Sequence, residues 1–276
     1  MEKRNGTDLG APWIKCKRMT EEQYRAAPGV NKSTLWELRK SPSHYKYCLE
    51  HPSKDTPALR FGQALHMAIL QPDEFGKHYV IAPNIDRRTK DGREQYQAFV
   101  DGLGDREIIT VDDYEQISEM YKAVYADKDA VNLLNGCQTE TPIFWTDPDT
   151  RIRCKCRLDA VKPGVIVDVK SCADASTKHF VRDALRYGYD VQCAHYTRGY
   201  RSQHDEQPEF WFLCIEKTPP YAINLIEAGD LMERGTLLLN DLLSMLLGYR
   251  KHRNWSRGYG TNRATLSDWD LIPDDD

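Results

Sequence analysis

From residue 151 to residue 159 the chain alternates without a break: Arg151, Arg153, Lys155, Arg157 and Asp159 are separated by Ile152, Cys154, Cys156 and Leu158. This is the period-two pattern of a strand with one charged and one buried face. Pro163-Gly164 follows as a turn signal, and VIVDVK after it reads as a strand covered on nearly all sides. TPIFW before this hairpin, and PEFWFLCIEK and YAINLIE after it, predict three further strands. Helical spacing is predicted from an N-cap at Ser33 or Thr34 through Leu35, Trp36 and Leu38, interrupted near Pro42 and resumed through Tyr45, Tyr47 and Cys48. Further helices are predicted over 58–70, 92–101, 112–134, 176–187, 190–203 and 230–251. Residues 83–93, PNIDRRTKDGR, have no apolar period and read as a basic, turn-rich loop. The first 25 or so residues carry little pattern and are expected to form a loose lead-in.

Three strands, two helices and two strands in succession predict an α/β fold, a mixed central sheet flanked by helices. Neither an internal repeat nor a low-complexity linker interrupts it. We therefore expect an arm at 1–27, a single domain at 28–264 made of a helical section (28–135) and an α/β core (136–253), and an acidic tail at 265–276.

The hairpin carries the candidate chemistry. If Pro163 and Gly164 centre a tight turn, Ala160 pairs with Val167, Asp159 falls opposite Asp168, and Lys170 shares the face of Asp168. A longer loop would keep both aspartates at the same strand ends without strict opposition. Like charges across a strand pair are unfavourable, so the arrangement calls for a cation. A divalent metal beside the lysine serves; so does a surface network in which Arg157 and Lys170 neutralise the acids. Elsewhere, Gln192 and Tyr196 are four residues apart and share a helix face. His66 lies in the mostly apolar FGQALHMAIL, either as a hydrogen-bonded core residue or as a metal ligand, with Gly62 one turn earlier permitting close backbone approach.

Forty per cent apolar and 29 per cent charged residues are ordinary for a globular chain of 276 residues, and the formal charge of −4 excludes any argument from global basicity. A nucleic-acid partner must be met by a local basic surface. No run approaches the roughly 18 apolar residues that span a bilayer, and MEKRNGTDLGAPW lacks the apolar core of a signal peptide. No membrane association and a cytoplasmic location are expected. The eight cysteines include no CxxC pair, so buried thiols are expected and not a zinc or iron-sulfur centre.

Taken in order, Gly62-x-x-x-His66, Leu158-Asp159, Asp168-Val169-Lys170 and Gln192-x-x-x-Tyr196 resemble the motif series of the PD-(D/E)xK nucleases of the RecB and lambda-exonuclease branch. Within that branch the chain resembles the RecE-like exonucleases of prophages, the exodeoxyribonuclease VIII type, over roughly residues 28–253, carried mostly by CRLDAV, VDVKS and YDVQCAHYTRGY. The resemblance implies a restriction-endonuclease-like core in which Asp159 and Asp168, with the Val169 carbonyl and His66, ligate Mg²⁺ or Mn²⁺. Lys170 then orients or activates the attacking water, and Gln192 and Tyr196 position the lysine or the substrate. Lambda-type enzymes have an acid at the position matching His66, which weakens the case for a second tightly held metal. Ser33 is a terminal-phosphate contact or an ordinary N-cap. Arg60, Arg87, Arg88, Lys90, Arg93, Arg151, Arg153 and Arg157 are candidates for tracking the DNA backbone, or solvated charges. Glu140, in TETPIFW, sits at the edge of this set.

The activity implied is 5′-to-3′ exonucleolytic hydrolysis of linear double-stranded DNA, leaving 3′ single strands for recombination by annealing. A single-strand annealing protein and a ring-shaped homo-oligomer, trimer or tetramer, are the partners implied. A helicase-associated or Cas4-like nuclease, and a catalytically silent DNA-binding or assembly protein, are the alternatives. The absent cysteine cluster and helicase motifs count against the first, and the intact Asp159, Asp168 and Lys170 against the second.

Overall fold

In the computed structural model, residues 19–51, 56–253 and 255 are described; the acidic tail at 265–276 and most of the N-terminal arm lie outside them. The helical section runs α1 (Glu21–Ala26), α2 (Lys32–Trp36), a 3₁₀ turn (Glu37–Arg39), α3 (Pro42–Glu50), α4 (Pro57–Leu70) and α5 (Pro72–His78). It continues with β1 (Tyr79–Ile81), α6 (Lys90–Asp101), β2 (Glu107–Ile109), α7 (Val111–Ala126) and α8 (Lys128–Leu134). The core follows as β3 (Gln138–Thr146), β4 (Arg153–Lys162), β5 (Val165–Cys172), α9 (Thr177–Tyr187), α10 (Tyr189–Arg201), β6 (Glu209–Glu216), β7 (Ile223–Glu227) and α11 (Asp230–His252).

The five long strands form one mixed sheet in the order β3-β4-β5-β6-β7. Only β5 and β6 are parallel, because α9 and α10 make the crossover between them. Alternate residues feed two cores. Ile166, Phe210, Phe212, Cys154 and Cys156 pack under α2, α3, α10 and α11. Val167, Val169, Leu213 and Ile215 pack under α4 and α7. Helix α10 is held tightly between sheet and α11: a Cβ on Gly235 would lie 1.8 Å from the Asp190 carbonyl oxygen, so only glycine permits this crossing. That contact fixes the depth at which α10 presents Gln192.

Several sequence expectations need correction. Residues 1–18 of the expected lead-in lie outside the described residues, but its last part is helical: α1 is closed by a Thr20/Gln23 capping box. Its C-terminal end is gripped by Lys155, whose Nζ donates to the carbonyls of Tyr24, Arg25 and Ala27 at 2.9, 3.0 and 2.7 Å. The N-cap of α2 is Asn31, not Ser33 or Thr34; its Oδ1 accepts from the Thr34 N–H at 2.9 Å. Val30 is bridged to β4, which keeps the chain extended up to Asn31 and starts the helix there. Asp127 caps α8 and so breaks the expected 112–134 helix in two. Helix α6 begins at Lys90, shortening the basic loop. The pair β1 and β2 and the short α5 had no legible period. Gly62 faces open space, so no close approach depends on it.

Candidate active site

The β4-β5 hairpin sets the geometry. Ala160 pairs with Val167, Val161 with Ile166 and Lys162 with Val165, the register expected for a two-residue turn. Gly164 takes φ +72°, the left-handed residue of a Pro-Gly type II turn. The ladder then stops. Beyond Ala160 the strands part, and the Asp159 side chain takes over a backbone donor, its Oδ2 accepting the Val169 N–H at 2.9 Å. Across β3 the same point is irregular. Thr139 pairs with Ala160 and Thr141 with Leu158, but Glu140 and Asp159 are left out, and Glu140 sits at φ +50°. A non-glycine residue in that region costs about 1 kcal/mol or more. Leu158 packs in one core and Ala160 in the other although they are two residues apart, so alternation slips at Asp159. The slip aims Asp159 and Glu140 into the gap.

Helix α4 brings His66 to the same gap, with Nδ1 3.5 Å from Asp159 Oδ2. One ligand atom each from His66, Glu140 and Asp159 lie within 4.8 Å of one another. Burial, and then the Asp159 charge, push the Glu140 carboxyl up to about 7, against the pull of Arg157 and His66. Arg157 holds Glu140 at 2.7 Å and also pairs with Glu21 of α1. Asp168 is not in this trio. It is 1% exposed, and its Oδ2 lies 2.5 Å from Lys170 Nζ while Oδ1 accepts from Gln192 Nε2 at 2.6 Å. Lys170 Nζ also donates to Gln192 Oε1 at 3.3 Å. Because an ammonium only donates, the Gln192 amide must face its oxygen to the lysine and its nitrogen to the aspartate. Burial raises the Asp168 carboxyl to about 6, with Lys170 opposing and Asp159 reinforcing the rise. Burial works against the Lys170 ammonium, but Asp168 and Asp159 outweigh it and leave its pKa raised. Tyr196, one turn after Gln192, is half-buried near Phe210, and burial drives its hydroxyl far upward.

A family model described as a PDDEXK-like domain of unknown function (DUF3799) matches residues 32–262. The chain belongs to this family. The match spans the helical section from α2 onward and the whole five-stranded sheet, so the mixed sheet flanked by helices is the PDDEXK-like fold. Among solved structures, the chain is similar to a presumed exonuclease from Eubacterium rectale, with TM-score 0.61 and 16% identity over 93% of this chain and 98% of that one. That likeness is one of fold. SSO0001 aligns over 70% of this chain and 87% of its own at 14% identity, with TM-score 0.31, and adds no argument. No curated protein matches the chain.

PDDEXK nucleases typically depend on a divalent metal, and the residues present fit one. Two carboxylates and one imidazole are the oxygen-rich, borderline set that Mg²⁺ and Mn²⁺ accept. Burial and the neighbouring Asp159 raise the Glu140 carboxyl, a cost that a bound cation would relieve. The structure thus brings His66 and Asp159 together. It adds Glu140, which the sequence left at the edge, and keeps Asp168 and the Val169 backbone on the adjacent strand, with Asp168 turned to Lys170 and Gln192. The signal for Glu140 is visible only with β3 in place.

The basic candidates fare differently. Arg157 is no free phosphate contact, since two carboxylates engage its guanidinium. Ser33 is exposed inside a five-residue helix and caps nothing. Arg60, Arg151 and Arg153 are exposed. Arg87 covers the Tyr96 ring at 4.7 Å, Arg88 pairs with Asp86 at 3.0 Å, Lys90 with Glu94 at 3.7 Å, and Arg93 donates to the Arg88 carbonyl. Among the described residues, no helix is long and apolar enough to cross a membrane.

Proposed function

We propose that this protein is a metal-dependent exodeoxyribonuclease that hydrolyses linear double-stranded DNA from the 5′ end and leaves 3′ single strands for annealing-type recombination. The observation that carries the reading is the parted end of the β4-β5 hairpin. His66, Glu140 and Asp159 stand on one side of the gap, and the Asp168–Lys170–Gln192 network on the other. The ion would be Mg²⁺, with Mn²⁺ able to substitute; His66, Glu140 and Asp159 would hold it, with Asp168 and the Val169 carbonyl the further candidate ligands on the adjacent strand. When bound, it supplies Lewis-acid stabilisation of phosphoryl charge and lowers the pKa of a coordinated water.

The protein's own groups do the rest. Lys170 acts as an ammonium, because Asp168 and Asp159 hold its proton. It therefore neutralises negative charge gathering on the phosphoryl oxygens and orients the water; a neutral amine would be required for it to act as a base. Gln192 fixes the lysine from one side and Asp168 from the other, so the ammonium needs little reorganisation as charge develops. Tyr196, protonated throughout the working range, is a donor to substrate. In hydrolysis the water oxygen bonds to phosphorus, the bridging P–O bond breaks, and the leaving oxygen takes up a proton.

The strand polarity, duplex preference and recombination role follow from the likeness of the motif series to the RecE-like exonucleases. The fold-level likeness to the Eubacterium rectale protein supports a nuclease. The motif-series likeness to the RecE-like exonucleases is also what supports a ring-shaped homo-oligomer, trimer or tetramer, working in the cytoplasm with a single-strand annealing protein. The test is digestion of end-labelled linear duplex beside a closed circle, in Mg²⁺ and in EDTA. Mononucleotide release from the 5′ end of the linear DNA, in Mg²⁺ alone, is expected. Cleavage of the circle rejects the exonuclease, and binding without cleavage of either DNA leaves a silent DNA-binding protein.

A further inference from the structure

Lys32 is a second lysine at the site that the hydrolytic network leaves unused. It opens α2, and its Nζ donates to the carbonyl of Tyr187 at 2.5 Å, at the end of α9. The ammonium lies 5.3 Å from the Trp36 ring centroid and 5.7 Å from that of Tyr189. Lys170 Nζ lies 4.4 Å from the same Tyr189 ring. Two ammonium groups therefore share one aromatic side chain. Lys170 has Asp168 as its counter-ion, whereas among the described residues no carboxylate forms an ion pair with Lys32. Burial first, and then the neighbouring Lys170 charge, pull Lys32 down to about 8; Asp168 and Asp190 oppose the fall, and Arg39, 3.9 Å from the centroid of the Trp36 ring, adds to it.

The cage around Lys32 is built and not incidental. Gly188, between α9 and α10, has φ +71°, and a Cβ there would stand 2.6 Å from the Trp36 ring. Only glycine allows the indole to nest against this junction and hold the lysine. One donor of the ammonium is spent on Tyr187; two remain. Cationic groups packed side by side, one of them with no ion-paired carboxylate among the described residues, make a place that favours an incoming anion.

We propose that Lys32 is a substrate-binding residue which, together with Lys170, grips a phosphate of the DNA strand being cut. The inference rests on the nuclease reading above and adds to it the residue that fixes the phosphate against the lysine. A purely structural role, closing the end of α9 through Tyr187, is the competing account. The test measures binding of a short end-labelled duplex in Ca²⁺ over a range of salt, and cleavage in Mg²⁺, for the wild type, Lys32→Met, Lys32→Arg and Lys32→Gln. The Gln variant keeps a donor near Tyr187 while removing the charge. Loss of the contact is expected to weaken binding about tenfold in Met and Gln, to lower the salt slope by about one, and to raise KM; Arg recovers most of both. Wild-type affinity and slope in a Gln variant that melts like the wild type overturns the role of Lys32. A wild type that neither binds nor cleaves DNA overturns the nuclease reading itself, and with it this proposal, and the wild-type arm alone reveals that case.

Discussion

Replacing Glu140 by Gln tests the site through its electrostatics and needs no assumption about substrate. In the folded chain burial and Asp159 raise this carboxyl from 4.5 to about 7. At about 1.4 kcal/mol per pH unit, holding it ionised costs about 3 kcal/mol. Below the ordinary carboxylate range both folded and unfolded chains carry the proton, and the cost is absent. As pH rises past 4.5 the unfolded chain ionises first, so stability falls until the folded carboxyl ionises near 7; above that the whole cost is present. Gln keeps the shape and the backbone geometry at φ +50° but cannot ionise. Arg157 retains Glu21 as a partner. In EDTA at pH 8 the variant should therefore melt above the wild type, by about 6 °C at about 2 °C per kcal/mol, with the difference vanishing near pH 4.5. Mn²⁺ at pH 8 should raise the melting temperature of the wild type more than that of the variant, because the ion binds the folded state and Glu140 supplies one of its ligands. Thermal melts at the two pH values, with and without Mn²⁺, decide the matter. A pH-independent difference, or an equal response to Mn²⁺ in both proteins, would refute the reasoning.

Asp168→Ala and Lys170→Ala should each abolish hydrolysis while duplex binding in Ca²⁺ survives; turnover in a single-turnover assay removes that residue from the mechanism. Gln192→Ala frees Asp168 and Lys170 from their shared amide and should slow cleavage about tenfold to a hundredfold, with wild-type rates reducing Gln192 to packing. Lys155→Met removes three charge-assisted bonds to the end of α1 and should cost about 2 kcal/mol or more, with proteolysis at residues 19–27 accelerated; unchanged protection there would show that α1 is held by other contacts.

Much of the site was legible along the chain because its parts are local. The two-residue Pro-Gly turn dictates that Ala160 meets Val167, and strand alternation then places Lys170 on the face of Asp168. The i,i+4 spacing of Gln192 and Tyr196 likewise follows from helix geometry. Even α1 had a signal, since Thr20 and Gln23 form a capping-box pair, but six residues with none buried carry no apolar period to read.

Tertiary structure alone decided which acids gather. Strict alternation holds only while a ladder continues, and it slips where β4 leaves β5 and where Glu140 turns left-handed on β3. That departure brings Glu140 and Asp159, on two consecutive strands, together with His66 from the distant α4. It was also tertiary packing that turned Lys155 and Arg157 from free charges into anchors for α1, because a charge on a strand face is solvated only until another element covers it. Sequence fixes periodicity and turns through near-neighbour sterics; the counter-ion that each buried charge finds depends on long-range packing, which no local pattern records.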